Sequence, residues 1–219
     1  MVFDTQLADR RSCVDPLDNF READCFVAGT LVHTSTDLVP IEEIQVGDLV
    51  LSRHASQGER EYRRVISSAT HQDREVVLLR YFTPQAEDVG PKSLVLTADH
   101  PVWVERGGWI RSGLLEGGYE MQLVDGSLAM VYEVRRILKS DVPNVGFTHD
   151  DVTFEGLTID LQNMRVNVQD GAEDEVWKSA LSRNEYLRRD VYRIGVEDFH
   201  TYYVAADGVW VHDANCDKR

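Results

Sequence analysis

Residues 25–34 read CFVAGTLVHT, and residues 38–52 follow with LVPIEEIQVGDLVLS. A cysteine heads a turn at Gly29 and a short strand, and a second strand is entered through Val46, Gly47 and Asp48. The same texture recurs down the chain. Runs at 74–82 (REVVLLRYF), 93–97 (SLVLT), 101–105 (PVWVE), 128–137 (LAMVYEVRRI), 189–197 (RDVYRIGVE) and 200–212 (HTYYVAADGVWVH) are rich in Val, Leu and aromatics and bounded by Gly, Pro or Asp. Side chains of this kind fit a pleated, half-buried surface. The last run carries Asp207-Gly208, a hairpin signal between two β-rich halves. Many short strands at close spacing predict an all-β barrel or sandwich-like fold.

Two segments break the pattern. Residues 173–190 place Val176, Trp177, Ala180 and Leu181 at helical spacing, with acidic residues in the first turn and Arg188 and Arg189 near the end. Those charges suit a helix dipole, so the segment reads as a helix. Residues 140–171 are polar and acidic apart from an apolar stretch around 152–161, and read as part of an insertion, about 140–190, in the β-domain. The first 24 residues show no clear period and read as an upstream flank.

The chain has 219 residues, 42% of them hydrophobic and 28% charged, as in an ordinary soluble globular protein of one domain. Its net charge of −15 argues against a nucleic-acid partner, since phosphates would be repelled. No apolar run is long enough for a transmembrane helix, and the first 24 residues lack the apolar core of a signal peptide. The three cysteines, Cys13, Cys25 and Cys216, sit near the two ends and make a poor disulfide framework. No C-x-x-C or H-x-x-x-H spacing suggests a metal site.

Four signals carry chemistry. The first is Cys25 at the head of its turn and strand. The second is LTADHPVWV (96–104), a T-x-x-H formed by Thr97 and His100. The third is VEDFHTYYV (196–204), which carries His200. The fourth is GVWVHDANC (208–216), with His212, Asp213, Asn215 and Cys216. Each alone is common. Cys25 alone reads as a small buried hydrophobe, Asp99 and His100 as a strand-end turn, His200 as a core histidine and Asp213 as a turn residue. Trp103, Trp109 and Trp210 read most simply as core or half-buried strand residues.

Taken together, in this order and at these two ends, the motifs resemble the Hint family, the autoprocessing fold of inteins and hedgehog proteins. The resemblance is nearest to the bacterial kind found within polymorphic toxins, and it runs from Cys25 to about Cys216. It implies an all-β, horseshoe-like Hint fold with a small helical insertion, whose two ends meet at one catalytic centre. Residues 1–24 would be an N-terminal flank, 25–215 the autoprocessing domain and 216–219 a C-terminal flank. Cys25 would attack the carbonyl of Asp24 and convert the amide to a thioester, an N-to-S acyl shift that a modest pKa shift of the thiol would assist. His100 would hydrogen-bond the Cys25 nitrogen and protonate it as it leaves, and the Thr97 hydroxyl would hold the strained peptide. His200 and His212, kept basic by burial, would serve asparagine cyclisation at the far end.

The sequence departs from the family in two places. Family members place the terminal Asn directly after the penultimate His, whereas Asp213 follows His212 here and Asn215 precedes Cys216. Either Asp213 stands for the terminal Asn and C-terminal cleavage is slow, or Asn215-Cys216 is the junction and Cys216 is an acyl acceptor. The other departure is Arg193, where intein relatives often carry a polar or acidic residue; a guanidinium cannot accept a proton. Single-turnover self-cleavage at Cys25, within a larger secreted bacterial protein, is therefore the expected function. The expected substrate is the chain's own flanks, acted on by a monomer without cofactor or metal. Asp24 could attack the neighbouring thioester and hydrolyse it. Complete splicing of residues 1–24 to Cys216 onward, and an inactive structural connector, are the alternatives.

Overall fold

The computed structural model describes residues 24–55, 58–84, 90–149, 156–169 and 175–213. The opening stretch yields β1 (Phe26–Val27), β2 (Leu31–His33), β3 (Leu38–Pro40) and β4 (Leu49–Arg53). Then come β5 (Arg60–Glu75), β6 (Val77–Phe82), β7 (Lys92–Leu96), β8 (Pro101–Val104) and β9 (Gly108–Arg111). β10 (Glu120–Gln122), β11 (Leu128–Arg136) and β12 (Leu138–Lys139) lead into β13 (Val145–His149), β14 (Gly156–Asp160) and β15 (Arg165–Gln169). The helix α1 (Glu175–Arg183) precedes β16 (Arg188–Val196), β17 (Thr201–Val204) and β18 (Val209–His212).

Strand order explains how the two ends meet. The large sheet runs β3-β2-β17-β18-β8-β10-β11-β6-β7-β1-β16-β5-β4, with β9 on β8. The first strand is thus clamped between β7 and β16, and the last strand lies on β8, the strand that begins right after His100. The path bends back on itself until Thr34, just past β2, bridges Val50 on β4. Inside the bend lies the main core, which includes Phe26, Val32, Leu96, Met121, Ile194, Tyr202 and Val211. The β17–β18 turn closes through Gly208 N–H to the Ala205 carbonyl at 3.0 Å. Gly208 takes φ +72° there, where a side chain would meet Val124 at 2.4 Å, so the expected Asp207-Gly208 hairpin depends on this glycine.

The segment read as an insertion differs from its sequence reading in two respects. It carries the expected helix, but its strands β13, β14 and β15, with β12 just before it, form a separate sheet, β12-β13-β14-β15. That sheet supplies Leu157 and Ile159 to a second core with Cys25, Val27, Val76, Leu78, Val95, Leu161 and Val191. The helix is also shorter than its periodicity suggests. Asn184 adopts φ +52° and gives its N–H to the Ala180 carbonyl, a left-handed C-terminal stop, and Arg188 and Arg189 instead open β16.

Candidate active site

Alternation at the start of β1 sends Cys25 and Val27 to the core shared with the small sheet and Phe26 to the main core. Phe26 pairs with Leu96 on β7 and Tyr192 on β16. One step back along the same antiparallel registers, Cys25 lies between Thr97 and Arg193. The Thr97 N–H donates to the Cys25 carbonyl at 3.0 Å, and its hydroxyl approaches the same oxygen at 3.3 Å. The Cys25 N–H, which belongs to the Asp24–Cys25 peptide, donates to Thr97 Oγ1 at 3.0 Å. Thr97 therefore holds Cys25 at both its N–H and its carbonyl, and it takes the N–H that sequence reasoning gave to His100.

His100 lies deeper. Its ring is fully buried and tilted against Phe26, with centroids 4.2 Å apart. Neither ring nitrogen has a well-formed hydrogen bond, and the Asp24 carbonyl is the backbone acceptor that acts on it. Burial, with the neighbouring His212, pushes the imidazole down to about 3, so it is neutral at physiological pH. The turn holding the pair is fixed from outside. His100 N–H bonds the Thr97 carbonyl, Ser112 N–H the His100 carbonyl, Ser112 Oγ the Thr97 carbonyl, and Gly113 N–H the Ala98 carbonyl.

The cysteine differs from expectation in its proton affinity. Cys25 has no exposed surface, and burial pushes its thiol up to about 12. Arg193 and Arg74 draw it down and the Asp24 carboxylate pushes it further up. A thiolate ready at neutral pH is therefore replaced by a protonated thiol. Asp24 is raised to about 7 by burial and by Asp99, against the pull of Arg193 and Arg111.

At the other end, β17 and β18 place His200 and His212 with rings stacked 6.5 Å apart. Asp213 is fully buried: Oδ1 lies 3.1 Å from His200 Nδ1, Oδ2 accepts from the Val196 N–H, and its own N–H donates to the His200 carbonyl. His212 falls to about 4 through burial and the nearby His200. The two ends act on one another, since His212 affects His100 and Asp213 affects Asp24. Asn215 and Cys216 lie outside the described residues, as does the N-terminal flank before Asp24.

A family model described as the pretoxin HINT domain matches residues 31–152, more than half of the chain. The chain belongs to the pretoxin Hint family. The match includes Thr97 and His100 of this Hint domain, while Cys25, His200 and His212 fall on either side of it. Similar solved structures include a bacterial intein-like domain from Clostridium thermocellum, at 24% identity and TM-score 0.57, covering 87% of this chain and 99% of that one. The gp41-1 intein matches at 16% identity and TM-score 0.51 over 87% and 99%, and a DnaB intein from Synechocystis at 11% and 0.52 over 87% and 98%. These likenesses show that the Hint domain has the all-β intein fold. No curated protein matches the chain.

Several groups in the Hint domain's site carried no sequence signal. Tyr202 is fully buried with an unpartnered hydroxyl, and it feels the charges of Asp213, Cys25, Asp24 and Arg193. Trp103, Trp109 and Trp210 form one cluster, and Trp109 meets the His212 ring edge-on at 5.0 Å. Ser112 could have been suspected only from the structure, because its hydrogen bonds cross to the Thr97–His100 turn. Among the described residues no group of His, Cys, Asp or Glu is arranged to hold a metal, and no helix is long and apolar enough to cross a membrane.

Proposed function

We propose that this domain cuts its own backbone between Asp24 and Cys25 by an N-to-S acyl shift. The observation that carries the reading is the two-sided grip of Thr97 on Cys25, with His100 buried against the Asp24 carbonyl. An unactivated amide is planar and resonance-stabilised, so it must be held and polarised before a thiol can displace it. Cys25 Sγ forms a bond to the Asp24 carbonyl carbon, whose oxygen takes the electron pair. Collapse breaks the carbon–nitrogen bond, and the proton lost by sulfur ends on the Cys25 amine. With the thiol near 12 and His100 near 3, that proton must move in step with sulfur attack, because a resting thiolate–imidazolium pair is far uphill.

The thioester then yields to water or an added thiol, with the Asp24 carboxyl positioned beside it to assist. Flanks of the chain are the substrate, residues 25–215 form the working domain, and the setting is a larger bacterial protein delivered outside the cell. The chemistry needs no cofactor, and the acidic surface disfavours nucleic acid. At the far end, both carboxylate oxygens of Asp213 are engaged, which favours a buried tether over cyclisation and leaves C-terminal cleavage slow. Complete burial of the protonated Cys25 thiol gives specific support to the second reading, a silent structural connector.

Intact mass of the purified chain, before and after thiol or hydroxylamine and beside Cys25→Ala, separates the two. Loss of residues 1–24 in the wild type alone supports the acyl shift. An unchanged mass in both leaves the connector reading standing. In Asp24→Asn, slower thioester hydrolysis is expected in the absence of added thiol; an unchanged rate removes the carboxylate from that step.

A further inference from the structure

Arg193 lies on β16, and the sheet shows what faces it. Phe26 pairs with Tyr192 and Val27 with Val191, so continuing that antiparallel register by one residue, just ahead of β1, brings Arg193 across from Cys25. Residues so opposed share one face, with Cβ atoms about 4.5–5.5 Å apart. On the far side of β16, Arg193 pairs with Ala69, too small to compete for the guanidinium. Thr97 just past β7, Cys25 just ahead of β1, Arg193 on β16 and Ala69 on β5 thus follow one line across the sheet. Thr97 secures the peptide on one side of the sulfur, and a half-buried permanent cation stands on the other. The other charges acting on Cys25 are Asp24, beside it in the chain, and Arg74 on β5, whereas the inserted sheet contributes the apolar Leu157 and Ile159.

We propose that Arg193 is a positioning residue of the acyl shift, a fixed positive charge that stabilises negative charge on Cys25 sulfur as it attacks the Asp24 carbonyl carbon. This rests on the self-cleavage reading. The inference also accounts for a guanidinium at a place where it can take up no proton: its task lies at the first junction, and no transfer to the far end is asked of it. Its field reaches Cys25, Asp24, Tyr202 and His71, in each case favouring the form with less positive charge.

The test compares wild type with Arg193→Met and Arg193→Lys by two readouts: cleavage in hydroxylamine, and the rate at which iodoacetamide labels Cys25 at fixed pH. Peptide masses report labelling, and Cys13 and Cys216 in the same chain serve as internal references. Removing a nearby opposite charge raises a thiol pKa by about 1, and the stronger nucleophilicity of a more basic thiolate offsets part of the loss, so Arg193→Met should label Cys25 about threefold more slowly. Its cleavage should slow about three- to tenfold, with Arg193→Lys near wild type. Should Arg193→Met fail to fold, Arg193→Gln gives the same comparison. Labelling of the neutral variant at or above the wild-type rate overturns the proposal. A wild type that never cleaves but shows the labelling difference would remove the self-cleavage reading and leave the Arg193–Cys25 pairing standing.

Discussion

Asp24, His100 and His212 are buried within one site and differ in their demand for a proton. The imidazoles ionise near 3 and 4 when folded and near 6.5 when unfolded. As pH falls through 6.5 the unfolded chain takes up protons that the folded chain refuses, so both histidines remove stability in acid. Asp24 does the reverse, because its carboxyl gains a proton near 7 in the folded state and only near 3.8 when exposed. Over the shared window its contribution rises as theirs falls. In a Cys25→Ala chain, which stays uncut, adding Asp24→Asn should steepen the acid loss of stability between pH 7 and pH 4 by about 1.4 kcal/mol per pH unit. Urea midpoints measured across that window check this, and parallel profiles for the two chains would refute it. The sequence singles out Cys25, Thr97, His100, His200 and His212, which the fold brings together, but it does not disclose the proton affinities of Cys25, His100 and His212. Those depend on neighbours such as Arg193, which sequence distance does not reveal.

One short turn controls the placement of Thr97 and His100, and it is held by the segment after β9. Gly113 brings its N–H to the Ala98 carbonyl, and a Cβ at this position would stand 2.9 Å from Ala98 Cβ and 3.0 Å from its oxygen. Gly113→Ala should therefore destabilise the fold by about 1–3 kcal/mol and retard cleavage beyond what a distant variant of equal stability shows. Urea unfolding beside the hydroxylamine assay measures both, and a variant of wild-type rate would separate the turn from the chemistry. Elements with apolar runs, such as β6, β7, β8 and the β17–β18 hairpin, were plain from composition. β5 was not. Its sixteen residues include only one buried side chain, Val65, and it is held instead by long ladders to β4 and β16. β13 and β14 were hidden for a related reason, because polar Thr148 and Thr158 are buried beside Phe147, Leu157 and Ile159 and break the apolar pattern.

At the scale of the molecule, Cys25 lies in the second core, beneath Leu157 and Ile159 of the small sheet. Ile159 is buried in the layer that includes Cys25. Ile159→Ala should cost about 2–5 kcal/mol by leaving a cavity. It should also speed iodoacetamide labelling of Cys25; labelling at the wild-type rate would show that the sheet does not limit access. The bent sheet and the meeting of its ends were legible only through family resemblance, since no local pattern states that β18 will lie on β8. That meeting has an optical consequence. Trp103 and Trp109 already face each other across β8 and β9, and Trp210 joins them only when the closing hairpin docks. Exciton coupling among them makes near-ultraviolet circular dichroism a gauge of that docking. With Trp109 against the imidazole of His212, emission should dim as the ring gains its proton near pH 4, and His212→Gln should abolish that quenching step.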